Sequence, residues 1–387
     1  MNPWFQNPLL DKKTPPSVVD VSIIGASLHG LYLSYLLRQA GLKVSVFEER
    51  SEVASGFSRR SIGQAQLGLG DNPYRVGLSL GKEGLQKILR FSARSLNLLS
   101  QWNGFYPTGG LEIAKDPREE EEIRLSWSIS KELGFPNEHW PAKKLQGTLK
   151  VPSLLSGRFL PQEGIADLYV LTQNLFQHAR QEGVSVHCPI RIHEIQDGNH
   201  GQIIIHEQGE TRTEVTVYTS GLNIPRLLPY LADKHTTVRA QAIGYKRTTP
   251  SHLWGCRAQY GYVYWRDYLD YRLLGGCRWA TTHLEQGETD DTITVPKIED
   301  FLRAFAQKDF GEENPIVTYR WSGIEERSCD GLPIIGTLPG RIDTLLCTAL
   351  QGKELGLGFA GAEAIGELLI HGQSSTLPDI FSPRRFL

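Results

Sequence analysis

Gly25-Ala26-Ser27-Leu28-His29-Gly30 is the first stretch whose residue types and spacing could do chemistry. In a G-x-G-x-x-G turn the first glycine makes the bend and the second lets backbone approach a pyrophosphate. The third packs a helix against a strand. Here Ser27 takes the middle place, small enough to keep the approach open and able to donate from its hydroxyl. Glu48 follows 23 residues after Gly25, with Glu49 beside it. A carboxylate there can accept from ribose hydroxyls. An ordinary strand–turn–helix with no ligand has the same outline. The next polar block, Ser55 to Gln64, carries hydroxyls, arginines and glycines and suits a loop folded over phosphates.

Other chemistries leave no trace. The 11 histidines form no H-x-x-H or H-E-x-x-H, so no metal is expected, and there is no G-x-S-x-G nucleophile elbow. Cys188, Cys256, Cys277, Cys329 and Cys347 are odd in number, widely spaced and without C-x-x-C. Neither a disulfide framework nor a zinc site follows from them, and a reducing, cytoplasmic setting is expected. The run from Tyr260 to Tyr271 is rich in aromatics. Period-2 alternation puts Tyr262 and Tyr264 on one face of a strand, where they could cage a cationic amine or simply pack a core.

These residues need elements to hold them. Val18 to Gly25 reads as a buried strand, Gly30 to Ala40 as a helix and Lys43 to Phe47 as a second strand, a βαβ unit with parallel strands. Lys82 to Trp102, Leu168 to Gln181 and Ile298 to Lys308 read as helices. Gly157 to Pro161, Gly183 to Ile195, Gln202 to Glu207 and Glu214 to Ser220 read as strands, and Leu345 to Gly372 as strand, turn and helix. The acidic run Glu119 to Glu122 reads as a solvated helix start. With 387 residues, 40% of them apolar, the chain is long enough for two or three domains. Its 41 basic against 43 acidic residues give no basic excess, so no nucleic-acid partner is expected. Residues 1–16 are a proline-containing leader without the apolar core of a signal peptide, and no stretch has the ~20 apolar residues of a membrane span.

Ser55-Gly56-Phe57-Ser58-Arg59-Arg60-Ser61-Ile62-Gly63-Gln64 resembles the S-G-A-S-x-R-N-G-G-Q loop of the D-amino-acid-oxidase-type (DAO) FAD oxidoreductases. The resemblance runs on through Gly183 to Val186, Ile192 to Ile195, Val217 to Gly221 and Arg272 to Gly276. It continues in Trp321-Ser322-Gly323 and Asp330 to Gly336, and ends in Phe381 to Phe386. It implies an α/β (mixed α+β) fold, a Rossmann-like FAD-binding domain with an inserted antiparallel substrate sheet. The FAD domain would be discontinuous over 17–80, 155–225 and 325–387, with the substrate domain over 81–154 and 226–324. Noncovalent FAD would be held by Gly25, Ser27, Gly30, Glu48, Glu49, Ser58, Arg60, Ser61 and Gln64. Ile192 would receive the adenine, and Gly221, Gly352, Lys353 and Leu355 would lie beside the flavin.

The resemblance further implies oxidation of the C–N bond of a small amine or amino acid by hydride transfer to flavin N5. O2 or another compound would accept the electrons, O2 giving H2O2. Tyr262, Tyr264, Glu325 and Lys353 are the candidate catalytic residues. Glu325 stands where amino-acid-oxidising members often carry an arginine that holds the substrate carboxylate. A carboxylate there would favour an amine over an amino acid; the other reading is that Glu325 is salt-bridged to Arg327 or Arg320 and never meets substrate. The chain is similar to γ-glutamylputrescine-oxidase-like members in Pro16 to Val21 and the 55–64 loop, and glycine/sarcosine-oxidase-like members are the other near group. Two alternatives stand beside this. One is a flavin-binding interaction module that has lost catalysis, motivated by Ser27, Glu325 and the irregular turn 351–358. The other is an FAD-dependent tRNA wobble-uridine modification oxidase, similar in Asp71-Asn72-Pro73 and Ala349-Leu350, against which the missing basic excess argues.

Overall fold

The computed structural model describes residue 3 and residues 11–151, 153–276 and 284–387; Cys277 lies outside the described residues. Val18–Ile24 is rich in β-branched residues and, from Val21 on, wholly buried, as a strand covered on both faces must be. It pairs in parallel with Val44–Phe47 on one side and Gly209–Tyr218 on the other. Ser185–Cys188 extends the parallel array beyond Val44–Phe47, and Arg341–Thr348 joins it against Gly209–Tyr218. Antiparallel Gln202–His206 and Ile192–Asp197, with Ile334–Leu338 and Asp11–Lys12, complete a sheet of nine strands among the described residues.

The helix Leu28–Gln39 starts at Ser27, whose hydroxyl accepts from the Gly30 N–H at 3.0 Å. Leu28, Leu31, Leu33 and Leu37 are fully buried, so the helix is clamped between this sheet and its neighbours Leu168–Gln181 and Phe359–His371. Gly25 has φ +107°, and a Cβ on it would stand 2.4 Å from Ser220 Cβ. A Cβ on Gly30 would meet Thr219 Oγ1 at 2.5 Å. The two glycines thus do the turning and close packing that the motif requires.

A second sheet of eight strands runs Val317–Ser328, His235–Lys246, Tyr271–Gly276, Val263–Tyr268, Gly255–Ala258, Gly110–Ala114, Ser156–Leu160, Glu138–Pro141. Every pairing is antiparallel except that of Gly255–Ala258 with Gly110–Ala114. Between the sheets Gln64–Ala65, Gly164–Ala166 and Phe105–Tyr106 form a small third one, tying the 55–64 loop to the second sheet's side. Ser156–Leu160 belongs to the second sheet although the sequence boundaries group it with the FAD domain. Helix Pro73–Leu99, broken at Gly81 with φ 72°, buries Leu85, Ile88 and Leu89 in the first core. Those boundaries put its larger part with the other domain.

The acidic run is a correction. Helix Pro117–Glu132 begins there, capped by Asp116, but Glu119 and Glu122 are 2% and 7% exposed. Glu119 accepts from the backbone N–H groups of Lys115 (2.9 Å) and Tyr260 (2.8 Å), and burial pushes its carboxyl up to about 7. Glu122 takes a fork from Arg75 at 2.6 and 3.1 Å. A run of charges looks solvated until the elements that cover it, distant in sequence, are known.

Candidate functional site

The parallel strands of the first sheet all end at one edge, and there three cavities follow one another. The first lies among Gly25, Glu48, Glu49, Ile192 and Ser220. Glu48 and Ser220 also line the second, with Ser27, His29, Ser58 and Thr348. Ser58, Gly352 and Glu354 then pass into the third, a cavity of about 450 Å³ between the two sheets. Shared walls make these a single path, narrow at the sheet edge and wide at its far end. Crevices of this kind at the carboxyl ends of parallel strands are where open α/β sheets bind ligands.

The narrow part gathers carboxylate, hydroxyls and a helix end. Glu48 ends its strand half-buried, accepting from Ala26 N–H and Arg50 N–H, both at 2.9 Å. Burial holds its carboxyl above the usual range while those two N–H groups oppose the shift. Each oxygen keeps a lone pair for a further hydroxyl. Ser27, Ser58, Ser220 and Thr348 surround the next segment with hydroxyls, and the positive end of helix Leu28–Gln39 points there with no acidic residue in its first turn. Ser58 donates its proton to Glu354 and Thr348 to Glu326, so the Ser27 and Ser220 hydroxyls are the donors that could hold phosphates. Ile192 and Glu49 stand at the outer end, Glu49 accepting from Asn223 at 2.9 Å.

The wide cavity carries the rest. Tyr264 lies on strand Val263–Tyr268 with its ring over Gly275, and Tyr262 in the turn before it also lines the wall. Glu325 and Arg327, two apart on strand Val317–Ser328, both reach the cavity. Arg327 Nε donates to Glu325 Oε1 at 2.6 Å, and a second guanidinium nitrogen touches the same oxygen. Gly352 has φ +73°, and a Cβ on it would stand 2.6 Å from Glu325 Oε2, so this turn accepts only glycine against that carboxylate. The Lys353 amine donates to Gln66 Oε1. Burial and the nearby Arg257 guanidinium bring that amine down to about 8, against Glu163 and Glu325, which favour its charge. Arg257 itself is forked onto Glu163 at 2.7 and 3.0 Å beneath the cavity.

Most residues singled out in the sequence therefore meet on one path. Gly25, Glu48, Glu49 and Ile192 line its outer end, and Ser27 and Ser58 its middle. Ser61, Gln64, Tyr262, Tyr264, Glu325, Gly352, Lys353 and Leu355 line the wide cavity. Three do not line it. Gly30 is spent on helix–strand packing. Gly221 gives its N–H to Glu326 at 2.5 Å. Arg60 turns away, donating to the carbonyls of Ser55, Asp291 and Ser322 at 3.0–3.1 Å and pairing with Asp291. It fastens the loop to the second sheet rather than meeting phosphate, and this corrects its expected role. Sequence reading gives Arg327 only as one of two salt-bridge partners for Glu325, and the structure chooses it over Arg320, which goes to Glu299. It misses His29 and Glu354, which meet only through a contact 325 positions long.

The profile of the family described as "DAO: FAD dependent oxidoreductase" matches residues 20–368. The chain belongs to this family. FAD is accordingly its cofactor, and a path lined by hydroxyls, a helix end and the Glu48 carboxylate fits that group. Dimethylglycine dehydrogenase of Rattus norvegicus is 25% identical over 222 residues, 54% of this chain and 25% of that protein. The chain thus spans about a quarter of that relative. Glycine oxidase of Geobacillus kaustophilus is 23% identical over 336 residues, covering 83% of this chain and 85% of the relative. In fold, L-proline dehydrogenase from P. horikoshii superposes with a TM-score of 0.83 at 17% identity, over 96% of this DAO-family chain and 98% of the other. Among the described residues no helix is long and apolar enough to cross a membrane, and no three His, Cys, Asp or Glu side chains gather where a metal could sit.

Proposed function

We propose that this chain oxidises the C–N bond of an amino acid bearing a free carboxylate, with O2 as the electron acceptor. FAD bound along the path would supply the hydride acceptor, with O2 as the final acceptor giving H2O2. The substrate leaves as an imine that water hydrolyses. Ser27, Ser220 and the end of helix Leu28–Gln39 hold the phosphates in this reading, with Ser58 fixed on Glu354 beside them, and Glu48 accepts from the ribose. The chain's part in the chemistry is to orient the substrate, exclude water and keep the amine unprotonated.

The Glu325–Arg327 pair carries the substrate assignment. Taken alone, Glu325 argues for an amine; joined to Arg327 it forms a pair with no net charge, on a wall where Lys353 adds a positive one. A guanidinium and an ammonium aimed into a partly desolvated cavity favour a carboxylate. Tyr262 and Tyr264 offer apolar faces for the rest of the substrate. Dimethylglycine, glycine and L-proline, for which the three similar proteins are named, all carry that carboxylate. The loss of catalysis weighed above finds no support in its three motives. Ser27 caps the helix, Glu325 is paired, and the 351–358 turn walls the cavity.

The test is oxygen consumption and peroxide formation with a panel of amino acids, their N-methyl derivatives and the amines made by decarboxylating each. Turnover of amino acids with one peroxide per oxygen supports the reading. Amines turning over as well as their parent amino acids would overturn the substrate class, and reduction without oxygen uptake would overturn the acceptor.

A further inference from the structure

The Lys353 amine ends a file of three polar side chains that begins on the second sheet. Gln64 Nε2 donates to the backbone carbonyls of Cys256 at 3.0 Å and Trp265 at 2.7 Å. Gln64 Oε1 accepts from Gln66 Nε2 at 2.5 Å, and Gln66 Oε1 accepts from the Lys353 amine. The direction of this file is forced. Backbone carbonyls only accept, so Gln64 must turn its NH2 toward them and its oxygen toward Gln66. Gln66 must answer with its own NH2, which leaves its carbonyl for Lys353.

Close packing holds the file in place. A Cβ on Gly255 would stand 2.9 Å from Gln64 Cγ, so the space for that side chain depends on the glycine. A Cβ on Gly356 would stand 2.1 Å from the Gln66 carbonyl oxygen, so the 351–358 turn lies directly on the backbone of Gln66. Gln66 is buried and borders the wide cavity together with Lys353. The carboxylates around the amine are already engaged. Glu163 takes the Arg257 fork and the Leu67 N–H at 3.0 Å. Glu112 pairs with Arg158 at 2.8 Å, Glu325 with Arg327, and Glu354 meets His29 and accepts from Ser58. Among the described residues none of the four pairs with Lys353. An ammonium has three N–H groups, and Gln66 uses one. Two are left for a molecule in the cavity.

We propose that Gln64 and Gln66 are positioning residues that aim the Lys353 amine, so that its two unspent N–H groups meet the substrate carboxylate. This rests on the reading above in which a carboxylate binds beside Arg327 and Lys353. A neutral acceptor fixes the direction of the amine and leaves its charge uncancelled, which a carboxylate in that place would not do. A lysine side chain loses much rotamer freedom when a ligand first fixes it, and a tether already in place spares that loss. The same acceptor favours the charged amine, against burial and the Arg257 guanidinium.

The experiment compares the wild-type holoprotein with Gln66→Met, Gln66→Glu and Lys353→Met. Affinities for an amino acid and its decarboxylated amine are read from anaerobic flavin reduction. The Lys353 amine is titrated separately, from about pH 6 to about pH 9, by competitive acetylation and mass spectrometry. Gln66→Met should weaken amino-acid binding about 3- to 10-fold near neutral pH and leave the amine substrate unaffected. It should also bring the Lys353 titration to lower pH, whereas Gln66→Glu should take it to higher pH. A loosened site alone would move both variants the same way. In a Lys353→Met background, Gln66→Met should weaken amino-acid binding by less than about twofold. A Lys353 titration that Gln66→Met leaves in place overturns the proposal. So do equal losses for amino acid and amine, or an undiminished effect in the Lys353→Met background. Shifted titrations with amino-acid affinity unchanged would support the tether and overturn the carboxylate reading, so the two failures are told apart.

Discussion

Arg327→Met separates what the guanidinium does for the fold from what it does for the substrate. The side chains of Glu325 and Arg327 are 7% and 29% exposed. Breaking a fully buried pair from one side costs about 3–5 kcal/mol. Arg327 is partly open to the cavity, so solvent screening reduces the expected loss to about 1–3 kcal/mol. A substrate carboxylate loses a charged hydrogen bond worth about 1.5–3 kcal/mol, or about 10- to 150-fold in affinity. Glu325→Gln/Arg327→Met removes both charges, and should recover most of the stability without recovering that affinity. The assay is anaerobic flavin reduction against substrate concentration, run with an amino acid and its decarboxylated amine, beside thermal melting of each variant. The amino acid should lose affinity and the amine should not. Equal losses for both would mean that Arg327 serves packing alone, and unchanged affinity for both would mean that the carboxylate binds elsewhere.

Four further outcomes follow from the same geometry. Glu48→Ala should weaken FAD binding by about 1.5–3 kcal/mol, read by fluorescence titration; an unchanged constant would pass the ribose role to Glu49. Gly352→Ala adds a Cβ 2.6 Å from Glu325 Oε2 at φ +73° and should cost about 1–3 kcal/mol in melting experiments, with a lowered flavin content. Because the Lys353 amine is lowered to about 8, its charge is complete below that pH and lost above it. Amino-acid affinity should therefore fall between pH 7 and 9, and Lys353→Met should flatten that fall. Among the described residues no cysteine lines the three cavities, so acid precipitation should leave FAD in the supernatant; flavin retained in the pellet would contradict noncovalent binding.

What the sequence could tell depended on how far apart the partners lie. The strand–turn–helix around Gly25 and Gly30 is legible because strand, cap, helix and Glu48 follow within about thirty residues and each obeys a local rule. The helix Leu168–Gln181 is legible for the same reason, down to its ends. Arg60 was not, since its partners Asp291 and Ser322 lie more than two hundred positions away and no local pattern marks an arginine that turns inward. Glu325 lines the cavity wall, and the sequence offers both Arg320 and Arg327 as its partner. Strand alternation puts Arg327 on the same face, and the structure pairs Glu325 with it while Arg320 goes to Glu299. Ser156–Leu160 reads as a strand from its own residues, while its sheet is decided by Gly110–Ala114 and Glu138–Pro141.

The most direct measurement is a single-turnover one. Holoprotein is mixed without oxygen with an amino acid and, separately, with the amine lacking its carboxylate, and flavin absorbance near 450 nm is followed. An FAD-dependent oxidation directed by Arg327 and Lys353 should bleach the flavin at least about tenfold faster with the amino acid at equal subsaturating concentration. Faster bleaching by the amine, or none by any member of the panel, would contradict it.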